Sequence, residues 1–361
     1  MQKYLIVSFN FPPTIGGIET YAKELNVYFK DDKEVVFIHP KRKKSANSIL
    51  RGLSLVFFIL KTLIKVLFKK YELVHLTSFN LWIFGYLYSK YNKKAKIFIN
   101  IWGLEFVYRN KAGLLPRIHK KLFLNQKLLN SKNFYYLVSS QASRKLMLEN
   151  CFSYKKIRFI KLGISDDQLL NSKPVIQTEN YFLFVGRIIE RKGLSWFTNN
   201  ILPYFPDVKL KVVGPIGDIN EFERSKVDRV EYLGTVTESE LLKLRKKALI
   251  CIVPNIYLPN YDDFEAFCFV TIESVASSSL VVASNYQGIP EALLGGQLGS
   301  LAEPSDIESW VKQINYNLSL SEKQRLKVIN ERLQILKKEM SWSVLFKQTK
   351  DTYKEIVENV E

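Results

Sequence analysis

Residues 264–293, FEAFCFVTIESVASSSLVVASNYQGIPEAL, are the part of the sequence that decides the fold. An apolar run that begins near Cys268 predicts a short buried helix, and LVVASN at 280–285 predicts the buried strand that follows it. Glu265 then lies in the loop before the helix, and Glu273 lies about one turn inside it. Backbone N–H groups at the beginning of a helix have no partner within it and can bind a diphosphate. The two carboxylates can hold different parts of one ligand through its hydroxyl groups.

Short apolar runs of this kind recur along the whole chain and are separated by longer amphipathic segments. Strands that are buried on both faces and separated by helices indicate a parallel, doubly wound sheet. A chain of 361 residues is too long for one hydrophobic core, so we predict an α/β fold with two Rossmann-like domains. Helix-length segments include 19–28 and 49–70. The predicted strands are 4–9, 34–39, 72–76, 96–101, 134–139, 157–162, 181–187, 208–214, 230–234, 248–254 and 280–285.

The boundary between the domains is predicted at a polar segment, NSKPVIQTEN at 171–180, which contains a proline and has no hydrophobic periodicity. The first domain then covers residues 1–172, and the second covers residues 173–340. Residues 341–361 are predicted to contain a final amphipathic helix that begins at Trp342.

Cysteines and histidines are too sparse for a disulfide framework or a metal site. Cys151, Cys251 and Cys268 are widely spaced and include no C-x-x-C pair, which favours a reducing cytoplasm. The three histidines have no ligand spacing, and the sequence contains no Asp-x-Asp. We therefore expect no metal and no cofactor. The first residues, MQKYLIVSFNFPP, predict a buried strand and a loop rather than a secretory signal peptide.

The net charge of +18 is concentrated in the first half of the chain. Residues 1–170 contain 30 Lys and Arg against 10 Asp and Glu, whereas the remaining residues contain 23 against 25. Such asymmetry indicates a polyanionic partner. The candidates are anionic lipid, a phosphorylated substrate and nucleic acid.

The segment SILRGLSLVFFILKTLIKVLFKKY at 48–71 predicts a helix that combines an apolar surface with a basic stripe. No uncharged apolar run in it approaches the ~20 residues that span a bilayer. Lysines recur every four residues from Lys61 to Lys69, and KRKK precedes the segment at 41–44. This pattern favours a helix that lies on anionic lipid, so residues 41–70 are predicted to contact a membrane surface. The alternative is a helix that covers the sheet and exposes its lysines to solvent.

A second candidate site is FVGRIIERKGL at 184–194, after the first strand of the second domain. The strand is predicted to end at Val185, Gly186 permits a turn, and Arg187 and Lys192 follow at the carboxyl end of the sheet. Ligands of open α/β sheets bind at that end. Fixed cations there can offset the charge that develops on a diphosphate leaving group.

Residues 264–293 resemble the donor-binding signature of the family-four retaining glycosyltransferases, which have the GT-B fold. The signature has a glutamate, Gly-Phe-Gly, an apolar run, a second glutamate and, after a turn and a strand, Gly-Ile-Pro-Glu. Ala266 and Cys268 stand where glycines are usual. The resemblance implies that Glu265 contacts the donor sugar and that Glu273 holds the ribose hydroxyls. The matching residues are Glu265, Phe267, Glu273, Gly288, Ile289, Pro290 and Glu291. The candidate donor-binding residues of this stretch are Glu265, Phe267, Cys268, Phe269 and Glu273.

Two glycine-containing segments resemble the same family. The Gly-Arg…Lys-Gly element, which begins at Gly186, implies that Arg187 and Lys192 hold the donor diphosphate. The loop FNFPPTIGG at 9–17 implies that Gly16 and Gly17 lie over the diphosphate from the other side of the cleft. Arg191 has no counterpart in the family pattern.

The segment INIWGLEFVY at 99–108 resembles the place where the family often carries His-Gly-x-Asp or His-Gly-x-Glu. Trp102 stands in the histidine position, so the role of that histidine is not carried over. Glu105 is a candidate for a carboxylate near the acceptor hydroxyl, and the alternative is a structural glutamate at the beginning of a helix.

The resemblance implies a GT-B enzyme whose two domains face a cleft, with a C-terminal helix that crosses back to the first domain. The first domain would bind the acceptor, and the second would bind a nucleotide diphosphate sugar. The implied reaction transfers a hexose-type unit to an acceptor hydroxyl with retained configuration and without a metal. The basic, apolar first domain favours a lipid-linked glycan in bacterial polysaccharide synthesis (O-antigen or capsule), on the cytoplasmic face of the membrane. The catalytic candidates are Glu265, Arg187, Lys192 and Glu105.

The alternatives from the sequence are a GT-B isomerase or hydrolase, which consumes a nucleotide sugar without an acceptor, and a basic nucleic-acid-binding protein. The basic residues lie among buried-strand patterns rather than in a binding module, so no nucleic-acid partner is expected. A nicotinamide or flavin enzyme is disfavoured because no G-x-G-x-x-G follows the first strand.

Overall fold

A computed structural model describes residues 3–14, 16–40, 48–103, 105, 131–150, 152–170, 172, 174, 178–258 and 264–358. The chain divides into two compact units. The first unit is Met1–Leu162 together with Trp342–Glu361, and the second unit is Gly163–Ser341. Each unit contains one six-stranded sheet with parallel pairing between neighbouring strands. The predicted α/β class is therefore confirmed.

The sheet of the first unit has the strand order β2-β1-β3-β4-β5-β6, and that of the second unit has the order β12-β11-β10-β7-β8-β9. Both sheets are doubly wound, because the chain moves to one side of the first strand and later to the other. The strands are β1 Tyr4–Val7, β2 Val35–Ile38, β3 Leu73–Leu76, β4 Lys96–Asn100, β5 Phe134–Val138, β6 Ile157–Phe159, β7 Glu179–Val185, β8 Lys209–Val213, β9 Val230–Gly234, β10 Ala248–Val253, β11 Val281–Ser284 and β12 Ser300–Ala302.

Helices connect most of these strands, as parallel pairing requires. Several helices are preceded by a residue whose side chain accepts a hydrogen bond from a backbone N–H group of the first turn. Thr237 and Ser321 each form a complete capping box of this kind. The α-helices are α1 Gly17–Tyr28, α2 Ser48–Val66, α3 Trp82–Tyr91, α4 Gln141–Glu149, α5 Asp166–Leu170, α6 Leu194–Asn200, α7 Ile219–Ser225, α8 Glu238–Lys247, α9 Phe269–Ala276, α10 Ile289–Ala292, α11 Ile307–Leu318, α12 Glu322–Met340 and α13 Trp342–Glu358.

All eleven predicted strands are present, with ends that differ by a few residues. The three-residue strand β12 was not predicted, because SLA is too short to show a hydrophobic pattern. The predicted linker at 171–180 lies partly outside the described residues, and its last two residues, Glu179 and Asn180, begin β7 instead. The basic run at 41–44 and Cys151 also lie outside the described residues.

The C-terminal helix α13 belongs to the first unit, as predicted. Its Tyr353 is fully buried and hydrogen-bonds Nδ1 of His75, which lies in β3. On the other side of the ring, Nε2 of His75 is 2.7 Å from Oδ1 of Asn100 at the end of β4. Burial lowers the pKa of His75 to about 4, although the hydrogen bond to Asn100 acts in the opposite direction. A neutral imidazole therefore joins the terminal helix to the sheet.

Helix α2 has one buried face and one exposed face. Phe58, Ile59 and Val66 pack into the core of the first unit. The opposite face exposes large apolar side chains, and Phe68, two residues after the helix, is 90% exposed. None of the helices in the described part of the chain is long and apolar enough to cross a membrane. The exposed apolar residues of this segment are Leu50, Leu53, Val56, Phe57, Leu60, Ile64, Leu67 and Phe68.

Candidate functional site

Glu265 is the centre of a charged cluster in the second unit. Nη1 of Arg191 lies 2.6 Å from Oε2 of Glu265, and Nζ of Lys192 donates to the same oxygen. Nδ2 of Asn255 is 3.4 Å from it. Arg191 and Lys192 follow β7, whereas Asn255 and Glu265 follow β10, which pairs with β7. The cluster therefore lies at the carboxyl ends of two adjacent parallel strands, where α/β sheets bind ligands.

The Glu265 carboxylate is ionised. Burial alone would raise its pKa, but Lys192 and Arg191 outweigh that effect and lower the pKa to about 2. The side chains of Arg191, Lys192 and Glu265 are only 12–14% exposed, so the ion pairs are screened weakly by solvent. Such a carboxylate can accept hydrogen bonds from hydroxyl groups but cannot donate a proton near neutral pH.

The Gly-Ile-Pro-Glu turn fixes the loop that carries Glu265. The N–H group of Gly288 donates to the carbonyl oxygen of Glu265 at 2.9 Å, and the Glu265 N–H donates to Oε1 of Gln287 at 2.6 Å. A Cβ atom at position 288 would lie 2.0 Å from the carbonyl oxygen of Ala266. Position 288 therefore needs glycine, because any side chain would push the Glu265 loop away.

A second glycine fixes the segment that carries the two cations. Arg191 and Lys192 lie in a 3-10 helix, Glu190–Lys192, which ends at Gly193 with φ of 66°. A Cβ atom at Gly193 would lie 2.0 Å from the carbonyl oxygen of Pro254. The chain after β7 therefore packs directly on the chain after β10.

Glu273 lies in α9, which begins after Cys268 as predicted. Its carboxylate is paired with a residue that the sequence did not indicate: Nη2 of Arg245 lies 2.5 Å from Oε2 of Glu273. Arg245 is in the basic last turn of α8, KLRKK, where three neighbouring cations suggest a solvent-exposed surface. Only the structure shows that the first of these three, Arg245, is buried.

The structure thus brings together two of the predicted site residues, Glu265 and Lys192. Arg187 follows Gly186 at the end of β7, and it is exposed, with no ion pair among the described residues. Glu273 pairs with Arg245 rather than with Lys192 or Arg187.

The apolar members of the predicted donor site lie between the two glutamates. The rings of Phe267 and Phe269 meet edge to face, with centroids 5.1 Å apart. Cys268 between them is buried, and burial raises the pKa of its thiol to about 11. The thiol is therefore protonated near neutral pH, and its packing rather than its reactivity decides what it contributes.

In the first unit, the predicted glycines lie at the beginning of α1. Gly16 is the residue before the helix and Gly17 is its first residue. Glu19, in the first turn, is buried and accepts a hydrogen bond of 2.9 Å from Nδ2 of Asn10, which follows β1. This contact joins the loop after β1 to the helix.

Trp102 and Glu105 follow β4 in the same unit. Nε1 of Trp102 donates to the carbonyl oxygen of Thr77 at 2.8 Å. Both carboxylate oxygens of Glu105 are 3.3 Å from the Trp102 N–H group, the contact expected of a structural glutamate. Burial raises the pKa of Glu105 to about 7, although backbone hydrogen bonds act against the rise. Its role toward an acceptor stays a prediction.

Among the described residues, no group of three or more His, Cys, Asp or Glu side chains is arranged to hold a metal ion.

Comparison with known proteins gives matches in family and in fold. Residues 179–319 match the family model "Glycosyl transferases group 1". Among curated proteins, the lipopolysaccharide 1,2-N-acetylglucosaminetransferase of Salmonella typhimurium is 26% identical over 192 residues, which cover 49% of this chain and 48% of that protein. The chain spans about half the length of the first curated relatives it matches.

Two solved structures are similar over almost the whole chain. Sucrose-phosphate synthase from Thermosynechococcus elongatus has a TM-score of 0.76 at 17% identity and covers 100% of both chains. Anabaena HepE in complex with UDP-glucose has a TM-score of 0.68 at 14% identity and covers 97% of this chain and 99% of that chain. Identities this low show the fold alone, which is GT-B. The match of residues 179–319 to the group 1 glycosyltransferases agrees with the family resemblance that the motifs predicted.

Proposed function

We propose that this chain is a retaining, metal-independent glycosyltransferase that transfers a hexose-type unit from a nucleotide diphosphate sugar to an acceptor hydroxyl. The observation that carries the proposal is the Glu265 cluster, in which an ionised carboxylate and two cations meet at the carboxyl ends of β7 and β10. This is the combination that a sugar diphosphate requires, because its hydroxyls need acceptors and its phosphates need cations. The family match of the same unit supports this assignment.

In the proposed mechanism, the donor diphosphate displaces Lys192 from Glu265. Lys192 and the exposed Arg187 would then stabilise the negative charge that grows on the departing diphosphate. Arg191 would stay on Oε2 of Glu265, and the carboxylate would accept a hydrogen bond from a hydroxyl of the donor sugar. Since the neutralised diphosphate is a good leaving group, electrostatics and positioning supply much of the rate enhancement.

The ribose and the acceptor have their own proposed places. Glu273 would hold the ribose hydroxyls. The similar Anabaena protein was solved in complex with UDP-glucose, which supports a nucleoside diphosphate hexose as the donor class. In the first unit, Gly16 and Gly17 would lie over the diphosphate, and Glu105 would lie near the acceptor hydroxyl. The pKa of about 7 suits Glu105 for proton transfer near neutral pH.

We further propose that the acceptor is a lipid-linked glycan and that the first unit lies on the cytoplasmic surface of the membrane. The exposed apolar face of α2, with Phe57 and Phe68, and the lysines from Lys61 to Lys69 supply the two components that an interfacial helix needs. The relative from Salmonella typhimurium is named for lipopolysaccharide, which supports an acceptor of the cell-surface polysaccharide class.

Donor turnover tests the enzymatic proposal. The protein is screened by thermal shift against UDP-, GDP-, ADP- and dTDP-sugars, because a ligand that binds the folded state raises the melting temperature. The sugar nucleotide that gives a shift is then incubated with candidate lipid-linked acceptors, and the product anomer is read by NMR. We expect retention of configuration and loss of turnover in Lys192→Met. Absence of any shift, or full turnover in Lys192→Met, would refute the proposal.

Vesicle flotation tests the membrane proposal. The protein is mixed with vesicles of phosphatidylcholine, with and without phosphatidylglycerol, and binding is expected only when the anionic lipid is present. Phe57→Ser together with Phe68→Ser should abolish flotation, because both side chains are exposed on one segment. Tyr204→Ser, which changes an exposed aromatic residue of the second unit, is the matched control. Equal flotation of the double variant and the control would contradict the proposal.

A further inference from the structure

Arg245 is a buried cation that belongs to none of the family motifs. It lies in the last turn of α8, and its exposed fraction is only 6%. Nη2 donates to Oε2 of Glu273 at 2.5 Å, whereas Nε has no hydrogen-bond partner among the described residues. A buried guanidinium is costly unless it is paired, so the contact with Glu273 is the one that compensates its charge.

The backbone of Arg245 is held as firmly as its side chain. Its carbonyl oxygen accepts a hydrogen bond from Oγ of Ser279, which lies just before β11. The N–H group of Ala248 donates to the same carbonyl oxygen. Because both ends of the side chain are fixed, Arg245 offers Glu273 a hydrogen-bond donor in one direction only.

Glu273 presents one engaged oxygen and one open oxygen. Oε2 is taken by Arg245, and Oε1 has no hydrogen-bond partner among the described residues. The side chain is 27% exposed, so the carboxylate is open to a ligand on one side while Arg245 holds it from the other. Because Arg245 holds Oε2, the position of Oε1 is also fixed. Oε1 therefore accepts a strong hydrogen bond only from a hydroxyl group that lies in the right place.

We propose that Arg245 is a positioning residue that fixes Glu273 for a ribose hydroxyl and thereby makes the chain select ribonucleotides over 2′-deoxyribonucleotides. The inference rests on the proposed function, in which Glu273 holds the ribose. Without Arg245, the Glu273 side chain would turn freely, and its hydrogen bond to the hydroxyl would lose its fixed geometry. A site built around a hydroxyl rejects the analogue that lacks it, because the bound analogue covers the open oxygen of Glu273 and leaves it unpaired.

Calorimetric titration with ADP, GDP and UDP and with their 2′-deoxy counterparts tests the inference. For the nucleotide that binds the wild-type protein, we expect the 2′-deoxy form to bind on the order of tenfold to a hundredfold more weakly, the range of a hydrogen bond to a charged acceptor. In Glu273→Gln and in Arg245→Met, this ratio should fall to about threefold or less. Arg245→Lys keeps the charge but not the planar guanidinium, so its ratio should lie between that of wild type and that of Arg245→Met.

Arg325→Met is the matched control. Arg325 is another largely buried arginine of the second unit, but its Nη2 donates to the carbonyl oxygens of Ala248 and Leu249 instead of a carboxylate. Both Arg245→Met and Arg325→Met are expected to lower the melting temperature, and only Arg245→Met is expected to change the ratio of the affinities for the nucleotide and its 2′-deoxy form.

The inference is overturned if Glu273→Gln abolishes this preference for the ribonucleotide and Arg245→Met retains it, an outcome that leaves the proposed function standing. If none of ADP, GDP and UDP binds the wild-type protein but a dTDP-sugar does, the inference fails and the proposed function stands. If no nucleotide and no sugar nucleotide binds, both fail.

Discussion

Replacement of Glu265 by Gln tests the charged cluster at the site directly. The amide keeps the shape of the side chain but leaves Arg191 and Lys192, each about 12–14% exposed, without their carboxylate. The pKa of Glu265 is about 2, against an ordinary value of 4.5. Since one pKa unit corresponds to about 1.4 kcal/mol, the ionised form contributes about 3 kcal/mol to the free energy of unfolding. We therefore expect Glu265→Gln to lose about this amount at pH 7.

The pH dependence of the loss follows from the direction of the shift. A carboxylate whose pKa is lower in the folded state stabilises fully above its unfolded pKa, and the contribution disappears as the pH falls through the folded pKa. The difference between wild type and Glu265→Gln should therefore be constant above about pH 4.5 and should shrink toward pH 2. For a unit of this size, about 3 kcal/mol lowers the melting temperature by roughly 6–12 °C at neutral pH.

The assay is urea denaturation and thermal unfolding of both proteins over this pH range. Glu179→Gln is the matched control, because Glu179 begins β7 and pairs with Lys247 at 2.7 Å on the surface. A surface pair of this kind is worth about 1 kcal/mol or less. Pyrophosphate should stabilise Glu265→Gln more than wild type, since the two cations are then available to an anion. If Glu265→Gln and Glu179→Gln lose equal stability at pH 7, the cluster does not carry the energy assigned to it.

Three further predictions concern other parts of the chain. Burial lowers the pKa of His75 from 6.5 to about 4, so the neutral imidazole contributes about 3 kcal/mol to the free energy of unfolding above pH 6.5. This contribution is lost as the pH falls toward 4, and the urea midpoint of the first unit should decrease over the same range. A midpoint that does not change with pH would exclude a buried neutral imidazole. Gly288→Ala should destabilise the second unit and weaken donor binding, since its Cβ would lie 2.0 Å from the Ala266 carbonyl oxygen, and unchanged circular dichroism melting together with unchanged donor affinity would contradict the close approach. Arg187→Ala should change the free energy of unfolding by less than about 0.5 kcal/mol, because the side chain is exposed. The same substitution should weaken nucleoside diphosphate binding about tenfold or more in a calorimetric titration. Equal affinity of the variant and wild type would show that Arg187 is not part of the site.

The alternation of strands and helices was predictable because it depends on local hydrophobic patterns. Strand β12, with the sequence SLA, was not predicted, because three residues are too few to show a hydrophobic pattern. The position of Glu265 in a loop and of Glu273 in a helix was also predictable from the apolar run between them.

Two partners of these glutamates, Arg191 and Arg245, were not predictable from the sequence, whereas Lys192 was already a predicted site residue. Arg191 and Arg245 are separated from their carboxylates by 74 and 28 residues, and each lies in a basic run that reads as solvent-exposed. Which cation of such a run is buried depends on how the helix end meets the next strand, which is a property of the tertiary structure. His75 likewise looks like any strand residue until α13 brings Tyr353 against it.

We propose that Glu265, Arg191 and Lys192 form the binding site for a nucleotide diphosphate sugar. The most direct measurement is calorimetric titration of wild type and Lys192→Met with the sugar nucleotide that raises the melting temperature most. We expect saturable binding to wild type and at least about tenfold weaker binding to Lys192→Met, because a charge-assisted contact with the diphosphate is lost. Equal affinity of the two proteins, or no binding of any sugar nucleotide to wild type, would contradict it.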